Sequence, residues 1–520
     1  MHPCLKIPEL VAPICSHLLP PPKSFDLWIS AHEPTCPHQC HLAVLARTST
    51  VFSSHALRLL WKSVPLIRLL FCLPSETYRL SYTKYHPKYI DSMTPRRSLK
   101  ESDLEHLALY SQHVQYLFAF SLDADASAMF SSLRPWLSEK QFPLLRGISW
   151  GYEGGDFNFI DSFISPRITT LKISEDSPAA SMLVSSIATR CPELTYLSCS
   201  NRTTSDAKAS PVWECVRGLG RIRALHTELL DRDTFEHLSR LPSFEELSLI
   251  RLPADLPPPD TQPFFPQLAK LHLQDFDSAM RFFERGDHDQ FPLAEFSLEM
   301  ASAFSTADVV HQLLSVAAPK IIDSSLKEFI FGVGFGILED SDRPNHVIRS
   351  SSLRLLLPFR NLTTVSFLSA AGVDLDDTTI TDMARSWPHI ERLQFESYFG
   401  TSRPRATLRS LEAFAQYCPH LTELTITFDA TEIPPSQGEF RLEGLTRFHV
   451  EASPITTVRP VAEFISRVFP GLTSVGTLAD ILDDDEGWEE NLVPEAFEYD
   501  VLWKKVEKAL ERYAERRQVS

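Results

Sequence analysis

Along most of the chain, apolar residues return in one short string: an apolar residue, two variable ones, a second apolar residue, one variable position and usually a third apolar residue. The end of the string has the period of two that sends successive side chains to opposite faces, so each copy predicts a short strand with one buried face. Clear copies begin at Ile168, Leu194, Phe244, Leu268, Leu293 and Leu421, further ones at Leu326, Leu362, Ile390 and Leu445, and weaker ones at Val114, Leu145, Ile222 and Leu472. That is about 14 copies spaced by roughly 22 to 36 residues, a period that marks a repeat array.

A second regularity is independent of the first. Proline stands two positions before the string at Pro143, Pro166, Pro192, Pro242, Pro266, Pro388, Pro419 and Pro470, where a composition of 38 prolines in 520 residues would place about one by chance. Most of these prolines follow a large or apolar residue: Phe142, Cys191, Leu241, Phe265, Trp387, Cys418 and Phe469. Upstream, Leu411, Phe414, Ala415 and Cys418 share one helical face, as do Val461, Phe464, Ile465 and Val468. The unit therefore reads as a helix, a proline that cannot continue it, and a strand. One unit cannot bury both its apolar faces, but stacked units enclose a continuous core between a parallel sheet and a layer of helices. The expected fold class is α/β: a solenoid over residues 111–480, a horseshoe with the sheet on its concave side and helices on its convex side. In this register Leu424 points into the core and Thr425 away from it. The long gaps between the units at Leu293, Leu326 and Leu362 predict inserted loops.

The runs Cys191-Pro192-x-Leu194-x-x-Leu197 and Cys418-Pro419-x-Leu421-x-x-Leu424 resemble the leucine-rich repeats of F-box proteins, a likeness that covers most of residues 110–480. Ahead of the array, Leu10, Ile14 and Leu18 fall at i, i+4 and i+8 with Pro8 suited to a first helical turn, and Leu42, Leu45, Ala46, Phe52, Leu57, Leu60 and Trp61 suffice for two more short helices. Three such helices make a small bundle. The order Ile7-Pro8-Glu9-Leu10, Ile14, Leu18, Leu42, Leu45, Phe52, Leu60-Trp61 resembles an F-box, and the segment from Leu42 to Phe52 is similar to divergent fungal forms; the loop from Leu19 to Cys40 is longer than that family's. The resemblance implies that the bundle inserts into the Skp-type adaptor of a cullin-type ubiquitin ligase, mainly through apolar contacts, with Pro8, Leu10, Ile14, Leu42, Leu45 and Phe52 as the adaptor-binding residues. The alternative is an N-terminal cap that shields the first repeat from solvent. The expected organisation is residues 1–64 F-box-like, 65–110 linker or cap, 111–480 repeats, and 481–520 an acidic stretch and a helix carrying Trp503, Val506 and Leu510, which reads as a C-terminal cap or a partner-binding helix.

Charge and composition narrow the partners. A formal net charge of −17 repels a polyanion, so nucleic acid is not expected. Nine cysteines, an odd number scattered over a long chain, suit reduced thiols and a cytoplasmic or nuclear location. The N-terminus lacks the basic and unbroken apolar regions of a signal peptide, and the best apolar run, Val64 to Leu73, is interrupted by Pro65 and Arg68, so no membrane partner is expected. Cys36, His38, Cys40 and His41 are zinc-type ligands but lack a distant partner pair, so no metal is expected. Gly332, Gly334 and Gly336 miss the spacing of a dinucleotide-binding loop, and no P-loop, HExxH or GxSxG motif occurs, so neither a cofactor nor catalysis is expected.

What remains is protein binding. Counting outward from the buried strand positions gives a solvent-facing set: Tyr196, His226, Lys270, His272, Gln274, Arg392, Gln394, Glu396, Arg447, His449 and Glu451. Of these, Tyr196, His226, Lys270, His272, Arg392, Glu396, Arg447 and His449 are the target-binding candidates, led by Arg392 and Arg447 because arginine is over-represented among binding hot spots. The expected function is the substrate-recognition subunit of an SCF-type ligase whose target is unknown; the alternative is a repeat scaffold with no role in ubiquitin transfer.

Overall fold

The computed structural model describes residues 8–17, 37–48, 50–82, 90–120, 126–137, 141–151, 157–174, 177–199, 211–253, 255–256, 264–285, 290–300, 306–333, 338, 341–397, 404–435, 440–478 and 494–519. The chain divides into two compact units, Met1–Thr234 and Phe235–Ser520.

The first unit opens with three helices, Pro8–His17, Pro37–Thr48 and Thr50–Leu60. They share a core of Val11, Cys15, Leu42, Phe52 and Ala56, with Leu45, Ala46, Val51, Leu59 and Leu60 packed against it. Immediately after the third helix comes β1 (Ser63–Pro65), which the sequence pattern did not predict. It is too short to show a period. It also contains a proline, which a strand accepts at an edge, and β1 is the outermost strand of its sheet. β1 pairs in parallel with β4 (Tyr116–Phe120), and the segment between them holds an antiparallel hairpin of β2 (Tyr78–Tyr82) and β3 (Ile90–Pro95) and the helices Leu66–Leu70 and Glu105–Ser111. Parallel pairing then runs in chain order through β5 (Gly147–Gly151), β6 (Thr170–Ile173), β7 (Tyr196–Cys199) and β8 (Ala224–Thr227).

The second unit repeats this arrangement with β9 (Glu246–Leu249), β10 (Lys270–Leu273), β11 (Glu295–Glu299), β12 (Glu328–Gly332), β14 (Thr364–Ser369), β16 (Arg392–Ser397), β17 (Glu423–Thr425) and β18 (Arg447–His449), all parallel and each paired with the next. The long gap after β12 is filled by the short helices Arg343–His346 and Ser350–Leu353 and by β13 (Ile348–Arg349), which pairs with β15 (Val373–Asp374). No helix among the described residues is long and apolar enough to cross a membrane.

The strands begin two residues after the first apolar residue of each string, as at Leu194 and Tyr196 or Leu421 and Glu423, at every predicted copy except the last. Among the described residues from Leu472 onward, the sheet pairing is an isolated bridge between His449 and Gly476. The reason is tertiary. The C-terminal helix Pro494–Val519 packs against this copy on the side where a further strand would pair: Glu507 accepts from the Val475 N–H at 3.2 Å and from the Ser474 hydroxyl at 2.7 Å, and Asp500 accepts from the Thr477 hydroxyl at 2.6 Å. Gly476 also lies so close against the His449 ring that a Cβ there would overlap it.

The proline rule has a backbone cause. Cys191, Trp387, Cys418 and Phe469 each end a helix with φ between −116 and −128° and ψ between 64 and 75°, outside the helical region that the following proline ring disfavours. The carbonyl of each then accepts from the N–H three residues on, as in Leu194 to Cys191 (3.1 Å), Ile390 to Trp387 (3.1 Å), Leu421 to Cys418 (3.2 Å) and Leu472 to Phe469 (3.1 Å). Proline thus occupies the second position of a β-turn, where its fixed φ fits. The residue before it is buried, and its polar atom is satisfied by the preceding repeat. Cys191 Sγ donates to the Ser165 carbonyl at 3.3 Å, Cys418 Sγ to that of Ala384 at 3.5 Å, and Trp387 Nε1 to that of Leu356 at 3.3 Å. In the second unit the core carries a run of rings, Phe283, Phe296, Phe329, Phe367 and Phe395, with successive centroids 5.2 to 6.0 Å apart. Each such contact adds about 0.5–1.5 kcal/mol beyond area burial.

Candidate functional site

Two surfaces follow from this fold, the outside of the helical bundle and the face of the sheet turned away from the core. In the bundle, Leu42 and Phe52 are buried and Leu45 packs partly against the same core, so these three hold the helices together. Ile14 points outward, 42% exposed. Pro8 opens the first helix and Leu10 lies on it, but their side chains are outside the described residues. A residue the sequence pattern passed over, Val44, is 50% exposed, an isolated apolar group on the outside of the second helix. Its position could have been read from Leu42 and Leu45 facing inward on either side of it. The bundle joins the first repeat through Trp61, whose ring stacks on Tyr110 at 4.5 Å and 10°.

On the sheet face, strand register sets the charged side chains in rows. The first residues of successive strands in the second unit are Glu246, Lys270, Glu295, Glu328, Thr364, Arg392, Glu423 and Arg447, each directly across from the next. Lys270 Nζ lies 2.8 Å and His272 Nε2 3.5 Å from the Glu295 carboxylate, and Arg447, the most exposed of the row, lies 3.3 Å from Glu423. Gln394 donates to Glu423 at 3.3 Å, and Arg392 donates to Thr364 Oγ1 at 3.0 Å. Glu396 is partly buried near the C-terminal end of β16, and burial together with the charge of Glu423 raises its carboxyl. Gln274 is exposed and His449 partly so. In the first unit Tyr196 and His226 sit on neighbouring strands, the tyrosine hydroxyl 3.1 Å from His226 Nδ1, and Tyr196 is left only 8% exposed.

Three outward assignments need correction: Tyr196, buried at 8% exposure beside His226, Glu451 and Thr425. Glu451 is 2% exposed and has φ 52°, a left-handed conformation that costs a non-glycine residue of order 1 kcal/mol and turns its side chain away from the alternation of β18. Its Oε2 accepts from the Ser397 N–H at 3.3 Å, reaching past the short β17 to the end of the longer β16. Burial first, and the charge of Glu396 second, push its carboxyl up to about 8, so it is protonated at neutral pH. Thr425 is 2% exposed although it follows the core residue Leu424 on the strand, because its short side chain sits between the longer Gln394 and His449 of the flanking strands.

Burial pushes the thiols of Cys191, Cys199 and Cys418 up to about 11, 12 and 12, which leaves them protonated and poor nucleophiles. Among the described residues no group of three or more His, Cys, Asp or Glu could hold a metal ion; Cys36 and the side chain of His38 fall outside them, as do Gly334, Gly336 and the acidic stretch before Pro494.

No family model matches the chain, and no curated protein matches it. Among solved structures, a chain in the crystal structure of the Rad7 and Elc1 complex in yeast is similar at a TM-score of 0.37 and 16% identity, over 80% of this chain and 92% of that one.

Proposed function

We propose that this chain is a non-catalytic substrate-recognition subunit of an SCF-type ubiquitin ligase, acting in the cytoplasm or nucleus. The N-terminal bundle docks on a Skp-type adaptor and through it a cullin, and the sheet face of the repeats holds a target protein. The observation that carries this reading is the bundle. It has its own core, built from Leu42, Phe52 and the helix of Ile14, and it keeps Ile14 and Val44 on its outside, where buried apolar packing could not have required them. Such side chains are the kind of anchor a partner groove takes. Co-expression with a Skp-type adaptor followed by size-exclusion chromatography tests it: a one-to-one complex is expected, and Ile14→Glu should abolish it. A protein that never co-elutes with the adaptor sinks the ligase reading.

The second reading, a repeat scaffold whose bundle is only a cap, draws on the stacking of Trp61 on Tyr110, which ties the end of the third helix to the helix Glu105–Ser111. Under that reading Ile14→Glu changes no association.

A further inference from the structure

Beyond the row already described, the register aligns a second set of residues across four adjacent strands. Glu299 of β11 lies opposite Gly332 of β12, Gly332 opposite Leu368 of β14, and Leu368 opposite Glu396 of β16. The row therefore reads acid, glycine, aliphatic, acid, with Gly332 buried beside the Glu299 side chain. Ile330, two residues before Gly332 and on the same face, is partly exposed, as is Leu368, while Glu299 is exposed.

The charges on this face are unevenly spent. Glu295 and Glu423 already have cations beside them, Lys270 and Arg447. Among the described residues Glu299 accepts only the Ser297 hydroxyl, at 2.9 Å, and Glu396 makes no hydrogen bond or ion pair. The like charge of Glu423 works against Glu396 instead of compensating it. Two under-compensated acids thus flank an apolar centre, an arrangement complementary to a cation, an aliphatic group and a second cation.

Spacing adds the second constraint. Three strand separations of about 4.8 Å put the two acids about 14 Å apart across the sheet, and an extended chain rising about 3.4 Å per residue covers the same distance from one residue to the fourth after it. Its alternate side chains face one way, so the residue midway lands over Gly332 and Leu368. We infer that the face of β11, β12, β14 and β16 binds an extended, basic segment of a target protein with the pattern basic–x–aliphatic–x–basic, lying across the strands. This rests on the sheet face being the target-binding surface, and it names the chemistry that surface selects.

The test uses the full chain and a fluorescein-labelled peptide containing Lys-Ser-Leu-Ser-Lys, read by fluorescence anisotropy at low and near-physiological salt. The peptide should bind at least about ten-fold more tightly than its Glu-Ser-Leu-Ser-Glu counterpart, and more tightly than Lys-Lys-Leu-Ser-Ser, which has the same charge at the wrong spacing. Combining Glu299→Gln with Glu396→Gln should weaken binding about ten-fold and flatten its salt dependence. Leu368→Ser should weaken it several-fold with the salt dependence kept. Gly332→Val, whose added Cβ would meet Glu299 only at an ordinary 3.5 Å, keeps the protein folded and blocks the centre of the row. No binding of the lysine peptide, equal binding of the glutamate peptide, or indifference to the double glutamine variant overturns the inference. Adaptor co-elution measured on the same preparation separates the two readings: if the adaptor binds and the peptide does not, this inference falls alone. If the peptide binds and the adaptor does not, the ligase role falls and the surface stands.

Discussion

At the scale of single residues, the side chains that matter most are those whose surroundings override the strand alternation. Glu451 holds its proton in the folded protein up to a pH of about 8, whereas in the unfolded chain it releases it near about 4.3. Between these values the native state binds the extra proton, so its contribution to stability is complete at the acid end and is lost as pH rises towards 8. Glu328 and Glu396 are raised as well and act with the same sign. Urea midpoints measured from pH 5 to 8 should therefore fall with pH, and Glu451→Gln should flatten most of that fall; an unchanged slope in the variant would place the proton elsewhere. Neighbouring positions on β17 make the complementary case. Leu424→Ala removes a wholly buried side chain and should cost about 2–5 kcal/mol. Thr425→Ala, shielded between Gln394 and His449, should cost about 1 kcal/mol, more than a solvent-facing threonine. Equal denaturation midpoints for the two would show the burial of this strand to be wrong.

At the scale of elements, the repeat is held by the turn between helix and strand, and the array is held at its end by a helix. Pro419 sits in its turn without strain, so Pro419→Ala should lower stability by about 0.4–1 kcal/mol, chiefly by freeing the unfolded chain. The C-terminal helix Pro494–Val519 buries Trp503, Val506 and Leu510; Trp503 Nε1 donates to the Ser453 carbonyl at 2.8 Å, and its ring meets Phe428 edge-on at 5.9 Å. This helix covers the end of the second unit, where the last strand would otherwise present unpaired backbone groups and apolar side chains to water. Trp503→Ala should cost about 3–5 kcal/mol by chemical denaturation. If it is instead neutral, the helix is held by its charged contacts and not by its apolar face.

At the scale of the whole molecule, adaptor binding and target binding are assigned to different surfaces and should be separable by mutation. Ile14→Glu and Val44→Glu replace exposed side chains, so they should leave the thermal transition in place while weakening an adaptor complex by at least about 2 kcal/mol each if these residues are anchors. Neither should alter peptide binding at the sheet face. Loss of both activities in Ile14→Glu, with the fold intact by circular dichroism, would mean that the bundle does more than dock an adaptor.

Much of this protein is decided locally and is therefore legible in one sequence. An apolar residue recurring with strand period must face a core, and a proline after a buried residue must end a helix, so repeated strands and their starting points follow from short-range rules that each repeat obeys separately. The alternation on β9 and β10 and the buried faces of the helices Arg409–Tyr417 and Val458–Val468 were open to that reading. What the sequence could not decide are the places where a distant segment competes for the same groups. β1 is a strand because β4 supplies its partner; the copy at Leu472 meets the C-terminal helix instead of a further strand, and Glu507 takes the Val475 N–H. Glu451 turned inward because its backbone left the extended region that the alternation assumes, and which acids on the sheet face stay uncompensated depended on the register that set Lys270 beside Glu295 and Arg447 beside Glu423 but, among the described residues, no cation beside Glu396. Local periodicity fixes which residues are buried against their own repeat; only packing between repeats fixes which polar groups find partners.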